Sequence, residues 1–290
     1  MLYSILKTMR PRQWIKNAFV LAPLIFDRQL GNPSALLRTI AGLVLFSLIS
    51  GVVYIINDIA DIESDRQHPQ KKNRPIASGK LSIHTARIAA ILLLAIIIPA
   101  AFLLSWKFAL AALGYFLLIY SYSRWLKHVP LIDVLVIAAG FVIRVVAGVV
   151  LIVVERFSPW LFVCTTLLAL FIGFGKRRAE LALLAKDASN HRKVLDGYTI
   201  PLLDQLITIV SSTTLMAYSL YTFSAVNLPE NHLMMLTIPF VLYGIFRYIY
   251  LVQVNDAGGA PEDVILSDRA LQMDILLWGL SVVAIIYLST

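Results

Sequence analysis

Nine apolar stretches, each near the ~20 residues a helix needs to cross the hydrocarbon core of a bilayer, succeed one another along 290 residues. They lie at 15–31, 36–58, 83–104, 107–124, 131–154, 159–175, 201–225, 233–252 and 270–288. A backbone in lipid must satisfy its own hydrogen bonds, so segments of this kind become helices and the whole becomes an all-α, polytopic membrane bundle. Composition agrees, with 59% hydrophobic and 14% charged residues and a mean hydropathy of +0.79, whereas soluble domains hold about 45–50% apolar residues. No Gly/Ser/Pro-rich linker, low-complexity tract or repeat divides the chain, and a single membrane domain over residues 1–290 is expected.

Short loops rich in Lys and Arg stay on the cytoplasmic side. One side carries Lys7, Arg10, Arg12 and Lys16, then Arg66, Lys71, Lys72, Arg74 and Lys80, then Arg124 and Lys127. It also carries Lys176, Arg177, Arg178, Lys186, Arg192, Lys193 and Arg269, against Arg28, Arg38, Lys107 and Arg156 on the other. The N-terminus and the basic loops are therefore placed on the cytoplasmic face of the cell (inner) membrane. The net charge of +8 gathers on that face, which suits anionic head groups and anionic substrates. Nucleic acid is excluded as a partner, because no soluble domain presents the charge. The first segment runs directly into the next span, so a cleaved signal peptide is not expected. Cys164, the single cysteine, lies mid-span and allows neither a disulfide nor a thiolate metal site.

Where the second span meets water the chain reads Asn57-Asp58-Ile59-Ala60-Asp61-Ile62-Glu63-Ser64-Asp65-Arg66. Spacings of three and four stack Asp58, Asp61 and Asp65 on one helix face, with Asn57 one turn before Asp61. Carboxylates and an amide suit Mg²⁺, which takes oxygen ligands and keeps room for substrate phosphates. The alternative is a solvated charged loop paired with Arg66. The cations that follow favour a metal–diphosphate site.

Tyr54 lies one turn earlier and shares that face, unless it is only an interfacial anchor. His68-Pro69, Arg74-Pro75 and Gly79 break the helix and fold a basic lid over the surface. The segment 120–128 mixes aromatics with Arg124 and Lys127, as interfacial anchors do, and Asp133 is placed to pair with Lys127. Arg144 falls more than two turns inside its span, where a lipid-facing guanidinium is costly; it suits either a phosphate fork or a structural pairing with a carbonyl. Arg87 and Arg247 lie near span ends and can snorkel. Lys176 and Glu180, one turn apart, form a pair or close a mixed metal-and-phosphate site, while Arg177 and Arg178 serve as a stop signal.

The set Asn57-Asp58-x-x-Asp61-x-x-x-Asp65, nine spans, and cytoplasmic loops after spans two, four and six resembles the UbiA superfamily of intramembrane prenyltransferases. Four segments resemble its branch of decaprenyl-phosphate phosphoribosyltransferases: 10–17 (Arg10 to Asn17), 65–79 (Asp65 to Gly79), 140–148 (Gly140 to Gly148) and 175–181 (Gly175 to Leu181). Aromatic prenyltransferases carry a second aspartate-rich motif after span six; here Lys176 to Glu180 occupies that place, and Asp187 and Asp196 are too far apart to replace it.

The resemblance implies a nine-helix bundle with a cytoplasm-facing cavity. It implies Mg²⁺-dependent, inverting transfer of 5-phosphoribose from phosphoribosyl pyrophosphate (PRPP) to a polyprenyl (decaprenyl) phosphate, for cell-wall arabinan precursors. In that scheme Asp58, Asp61 and Asp65 act in catalysis and hold the metal with Asn57. Lys16, Tyr54, Lys71, Arg74, Lys127, Arg144, Lys176 and Glu180 meet substrate. A homo-oligomer is compatible with all of this. The enzymatic alternative moves an isoprenoid from its diphosphate to an aromatic or tetrapyrrole acceptor. A transporter would instead show inverted repeats and broken mid-membrane helices.

Overall fold

The computed structural model describes residues 1–67, 71–154, 158–186, 193–254 and 261–288, with backbone alone at 184–186, 193, 261 and 262. Every regular element among them is helical. The α-helices are α1 (Leu2–Thr8), α2 (Ala22–Phe26), α3 (Pro33–Ala60), α4 (Ile62–Gln67), α5 (Ile83–Leu104), α6 (Trp106–Arg124) and α7 (Ile132–Val149), followed by α8 (Pro159–Lys186), α9 (Ile200–Ser224), α10 (Ile238–Gln253), α11 (Pro261–Ser267) and α12 (Arg269–Leu288). Short 3₁₀ segments lie between several of them, the longest being Pro11–Leu21. His68, Pro69, Arg156, Asp187 and Arg192 lie outside the described residues, as do the side chains of Lys186 and Lys193.

Among the described residues, seven helices are long and apolar enough to cross a membrane: Pro33–Ala60, Ile83–Leu104, Ile132–Val149, Pro159–Leu183, Ile200–Ser224, Leu233–Gln253 and Arg269–Leu288. The protein is therefore a multi-pass membrane protein. Of the two remaining apolar stretches, 107–124 forms the expected helix, as α6, and only 15–31 is built differently from expectation. Residues 15–31 form no single α-helix: the 3₁₀ segment Pro11–Leu21 passes into the five-residue α2, with Pro11 and Pro23 each removing a backbone donor. Helix α6 is 19 residues long, and its charged and Tyr/Ser-rich ends lower its hydropathy. Helix α8 runs past the expected 175 through Ala179-Glu180-Leu181-Ala182-Leu183-Leu184-Ala185-Lys186, residues with high helix propensity. Lys176 to Glu180 thus lies on a helix and not in a loop.

The chain divides into two compact units, the first holding Met1–Leu24, Gln29–Leu126 and Ile143–Val153, the second Ile25–Arg28, Lys127–Val142 and Val154–Thr290. Helix α7 contributes residues 132–142 to the second and 143–149 to the first.

In the first unit α3 is the central element. Asn32 caps it, its side-chain oxygen accepting from the N–H groups of Ser34 and Ala35, with Pro33 at the first helical position. Phe46, Ile49, Val52 and Ile55 recur at helical spacing and are buried against residues of α5, α6 and the end of α7. Gly148 of α7 lies so close to the Val20 carbonyl that a Cβ would collide with it, which fixes where Arg144, one turn earlier, can lie. In the second unit α8 packs on α9 and α10 on α12, around Phe171, Phe174, Leu203, Ile207, Ile245 and Leu271.

Candidate active site

Helix α3 ends at Ala60, and α4 restarts at Ile62 almost in register. The Asp61 N–H donates to the Asn57 carbonyl at 2.9 Å, and the Asp65 N–H to the Asp61 carbonyl at 2.8 Å. Asp58 and Asp65, seven residues and two turns apart, consequently share one face, and both are buried. Two guanidinium groups meet them. Nη1 of Arg74 donates to Asp65 Oδ2 at 2.6 Å and to Asp58 Oδ1 at 3.1 Å. Nη2 of Arg10 donates to the same Asp58 oxygen at 2.5 Å.

Local sequence explains both arginines' positions. Arg74 precedes Pro75, and the turn beyond it is tied down by Ile76 and Leu81, 1% and 3% exposed, in the core under α3. The Leu81 N–H donates to the Pro75 carbonyl at 2.9 Å, and Gly79, at φ 77, supplies the left-handed turn. The described part of the expected lid is thus anchored. Arg10 lies between α1 and the segment Pro11–Leu21 in a left-handed conformation, φ 54 and ψ 65. Pro11 disfavours the right-handed region for it, and the buried Met9 before it packs on Gly51 of α3. The Arg10 guanidinium lies 4.7 Å from the centre of the Tyr54 ring, so Tyr54 joins this site as a platform for a cation.

Of the other expected residues in the first unit, Asn57 and Asp61 are half-buried beside the pair. The Asp61 carbonyl also accepts from the Ser64 hydroxyl at 2.8 Å. Among the described residues no three His, Cys, Asp or Glu side chains close into one group. Lys16 donates to Gln13 Oε1 at 2.6 Å, and Lys71 is exposed on the 3₁₀ turn Lys71–Asn73. Arg144 is 6% exposed; its Nε donates to Asn17 Oδ1 and its Nη2 to the Tyr115 hydroxyl, each at 2.9 Å. Asn17 in turn donates to the hydroxyls of Ser47 and Ser50 on α3.

The second unit holds a different cluster. Arg177 donates from Nε to Asp133 Oδ2 at 2.5 Å and from Nη1 to Glu180 Oε2 at 2.6 Å. The Tyr198 hydroxyl donates to Asp133 Oδ1 at 2.7 Å and accepts from the Leu131 N–H at 2.6 Å. Burial, and then the hydrogen bond to Asp133, push the Tyr198 phenol above its ordinary value of 10.0. Lys176 is 4.0 Å from Glu180, as its spacing predicts. Lys127 is half-buried on the turn Leu126–His128. The expected pairing of Asp133 with Lys127 gives way to Arg177, because α7 and α8 bring those two side chains together across 44 residues. Arg177 is no stop signal but a buried ion-pair partner, and Arg178 bonds Asp204 at 2.6 Å. Arg247 grips Asp268 with two donors, at 3.2 and 2.7 Å, and this hydrogen bonding holds the Asp268 carboxyl below 3.8.

Residues 18–262 match the UbiA prenyltransferase family. The chain belongs to that family. It is 34% identical to the decaprenyl-phosphate phosphoribosyltransferase of Corynebacterium glutamicum over 98% of this chain and 87% of that protein. It is 33% identical to the Mycobacterium tuberculosis protein of the same name, over 95% and 91%. Among solved structures, a UbiA homolog from Archaeoglobus fulgidus bound to DMAPP and Mg²⁺ superposes with a TM-score of 0.73 at 19% identity, covering 98% of this chain and 99% of that one. That likeness establishes the UbiA fold.

In this UbiA chain Asp58 and Asp65, at α3 and α4, present oxygen atoms, the ligand type a hard divalent cation takes. The two buried carboxylates already share one positive group, Arg74. Arg10 opens the family-like segment 10–17 but was not among the expected site residues. Its signals were that segment and its place as the cation immediately before a proline at a helix boundary.

Proposed function

We propose that this protein transfers 5-phosphoribose from PRPP to a polyprenyl phosphate, decaprenyl phosphate being the acceptor to test first. The observation that carries the reading is the cluster of Asp58 and Asp65 with Arg10 and Arg74 at the end of a membrane span, in a chain that matches phosphoribosyltransferases of this kind along nearly its whole length. Buried carboxylates with partly exposed guanidinium groups are what a phosphate-rich donor and its metal require.

In the reaction the bond from ribose C1 to the pyrophosphate oxygen breaks, and its electron pair leaves with pyrophosphate. A bond from C1 to an oxygen of the polyprenyl phosphate forms on the opposite face. No proton needs to move, since the acceptor is already anionic. Asn57, Asp58, Asp61 and Asp65 would hold Mg²⁺, which would supply charge neutralisation for the departing diphosphate. Arg74, Lys16 and Lys71 are assigned to the PRPP phosphates, Arg144 and Lys127 to either phosphate, and Tyr54 to supporting the arginine that covers it. On the second unit, Lys176 and Glu180 are assigned to substrate as well.

Residues 1–290 are proposed to act as one catalytic domain in the inner membrane, with the N-terminus and the basic segments cytoplasmic. The test is incubation of purified protein with PRPP, Mg²⁺ and decaprenyl phosphate, followed by mass spectrometry of the lipid fraction. Phosphoribosylated lipid is the expected product. A prenylated aromatic product from a prenyl diphosphate, with no phosphoribosylated lipid, would reassign the donor.

A further inference from the structure

Each buried carboxylate assigned to the metal holds an arginine through one of its two oxygens. Nη1 of Arg74 lies 2.6 Å from Asp65 Oδ2 and 3.1 Å from Asp58 Oδ1, and Nη2 of Arg10 lies 2.5 Å from that same Asp58 oxygen. A divalent ion shared by those oxygens would bind at about 2.0–2.1 Å. It would then press directly on guanidinium groups bearing the same sign of charge. On Asp58 Oδ1 and Asp65 Oδ2 the ion and the guanidinium groups exclude each other.

We propose that Arg74 and Arg10 are the site's own counter-cation, which closes the Asp58–Asp65 pair in the substrate-free protein and passes to the diphosphate when metal and diphosphate enter as a complex. The proposal deepens the metal–diphosphate assignment made above and rests on it.

Charge and access both support the exchange. Two carboxylates stand against two guanidinium groups, so the substrate-free cluster is balanced. After the exchange a divalent ion balances the two carboxylates, and the two guanidinium groups offset most of the negative charge of the diphosphate. Metal entering alone leaves two displaced cations beside it with no anion, which is unfavourable at close range. Diphosphate entering alone must draw the arginines off buried carboxylates, leaving these unneutralised. Only the joint entry gives both the buried carboxylates and the displaced guanidinium groups a partner of opposite charge.

Exposure makes the swap feasible. The Arg10 and Arg74 side chains are 27% and 24% exposed, whereas those of Asp58 and Asp65 are 2% and 4%. The acids are therefore fixed and the bases are the groups with room to turn. A planar fork released from a carboxylate matches a phosphate equally well. Tyr54, with its ring 4.7 Å from the Arg10 guanidinium, gives that cation a surface to rest on. Arg10 also holds a left-handed backbone conformation that a non-glycine residue keeps only when its surroundings enforce it.

The consequence is coupling: diphosphate must raise the affinity for metal, and metal the affinity for diphosphate, by the same factor. The experiment measures Mn²⁺ binding to purified protein by electron paramagnetic resonance, with and without pyrophosphate, after correction for the Mn²⁺–pyrophosphate complex in solution. In the unaltered protein pyrophosphate is expected to tighten Mn²⁺ binding at least tenfold. Arg74→Gln is expected to bind Mn²⁺ alone about tenfold more tightly and to lose most of the enhancement. Arg10→Gln should shift both quantities in the same direction by about threefold.

Absence of the enhancement in the unaltered protein overturns the proposal without any variant. Unchanged or weaker Mn²⁺ binding in both folded variants also overturns it. Coupling intact while no phosphoribosyl transfer occurs would remove the donor assignment and leave the exchange standing. Transfer without coupling would do the reverse.

Discussion

The first unit's cluster sets Arg10 and Arg74, each about a quarter exposed, against Asp58 and Asp65 at the end of a span. The second unit's cluster sets Arg177, 1% exposed, against Asp133, 0% exposed, with Tyr198 taking the other carboxylate oxygen. The chemistry is nearly the same and the accessibility of the cation is opposite. Where the guanidinium reaches solvent, the ion pair is exchangeable and suits a site. Where it is sealed, neither charge can leave without abandoning a buried partner, and the pair holds α7 to α8.

The largest effect should come from the sealed cluster. Arg177→Gln leaves Asp133 without its cation and is expected to lower stability by about 3–5 kcal/mol, read as unfolding in detergent. Adding Asp133→Asn should restore a substantial part, since the two sites share one interaction. In the open cluster Asp58→Asn should instead reduce turnover by roughly 10³-fold, about 4 kcal/mol of barrier, with little change in unfolding, and chelation should match it. If Asp58→Asn unfolds the protein while Arg177→Gln only slows the reaction, the contrast is inverted.

Arg144 stands between the two types, buried yet held by an amide and a phenol. Arg144→Lys keeps the charge and loses the fork. We expect about 2 kcal/mol lost from transition-state binding, roughly thirtyfold in kcat/KM, while the protein still inserts. Unchanged kinetics with a lowered unfolding temperature would place Arg144 with the structural cluster.

Tyr198→Phe should cost about 1 kcal/mol, one hydrogen bond to a carboxylate that keeps its arginine. Because the folded phenol titrates above its ordinary 10.0, its contribution is full below pH 10 and is lost as the pH rises beyond that. An unfolding series at alkaline pH, flattened in Tyr198→Phe, checks this. The smallest effect is expected at Asp268, whose folded carboxyl is held below 3.8. Its contribution is present above that value and fades as the pH falls through it, so Asp268→Asn should change stability near neutral pH by less than Tyr198→Phe and not at all in strong acid.

The acidic face of the candidate site was legible because the informative spacings are short. Asp58 and Asp65 are two turns apart, and Lys176 and Glu180 one turn, so a helical period suffices to pair them. Apart from Arg74, the partners that define each cluster were not legible. Arg10 reaches Asp58 across 48 residues, Arg177 reaches Asp133 across 44, and Arg144 reaches Asn17 across 127. At such separations local periodicity carries no signal. The segment 15–31 and the end of α8 show the same limit at the level of elements, since hydropathy marks apolar length but not whether the backbone stays α-helical or where it stops.

By itself the sequence determined the membrane class, the helical architecture, the family and the acidic face, because burial in hydrocarbon and helical period act residue by residue. The tertiary structure alone decided which arginine answers which aspartate, and whether that answer is open or sealed. Both depend on how distant helices pack and how much solvent their packing leaves at a guanidinium group.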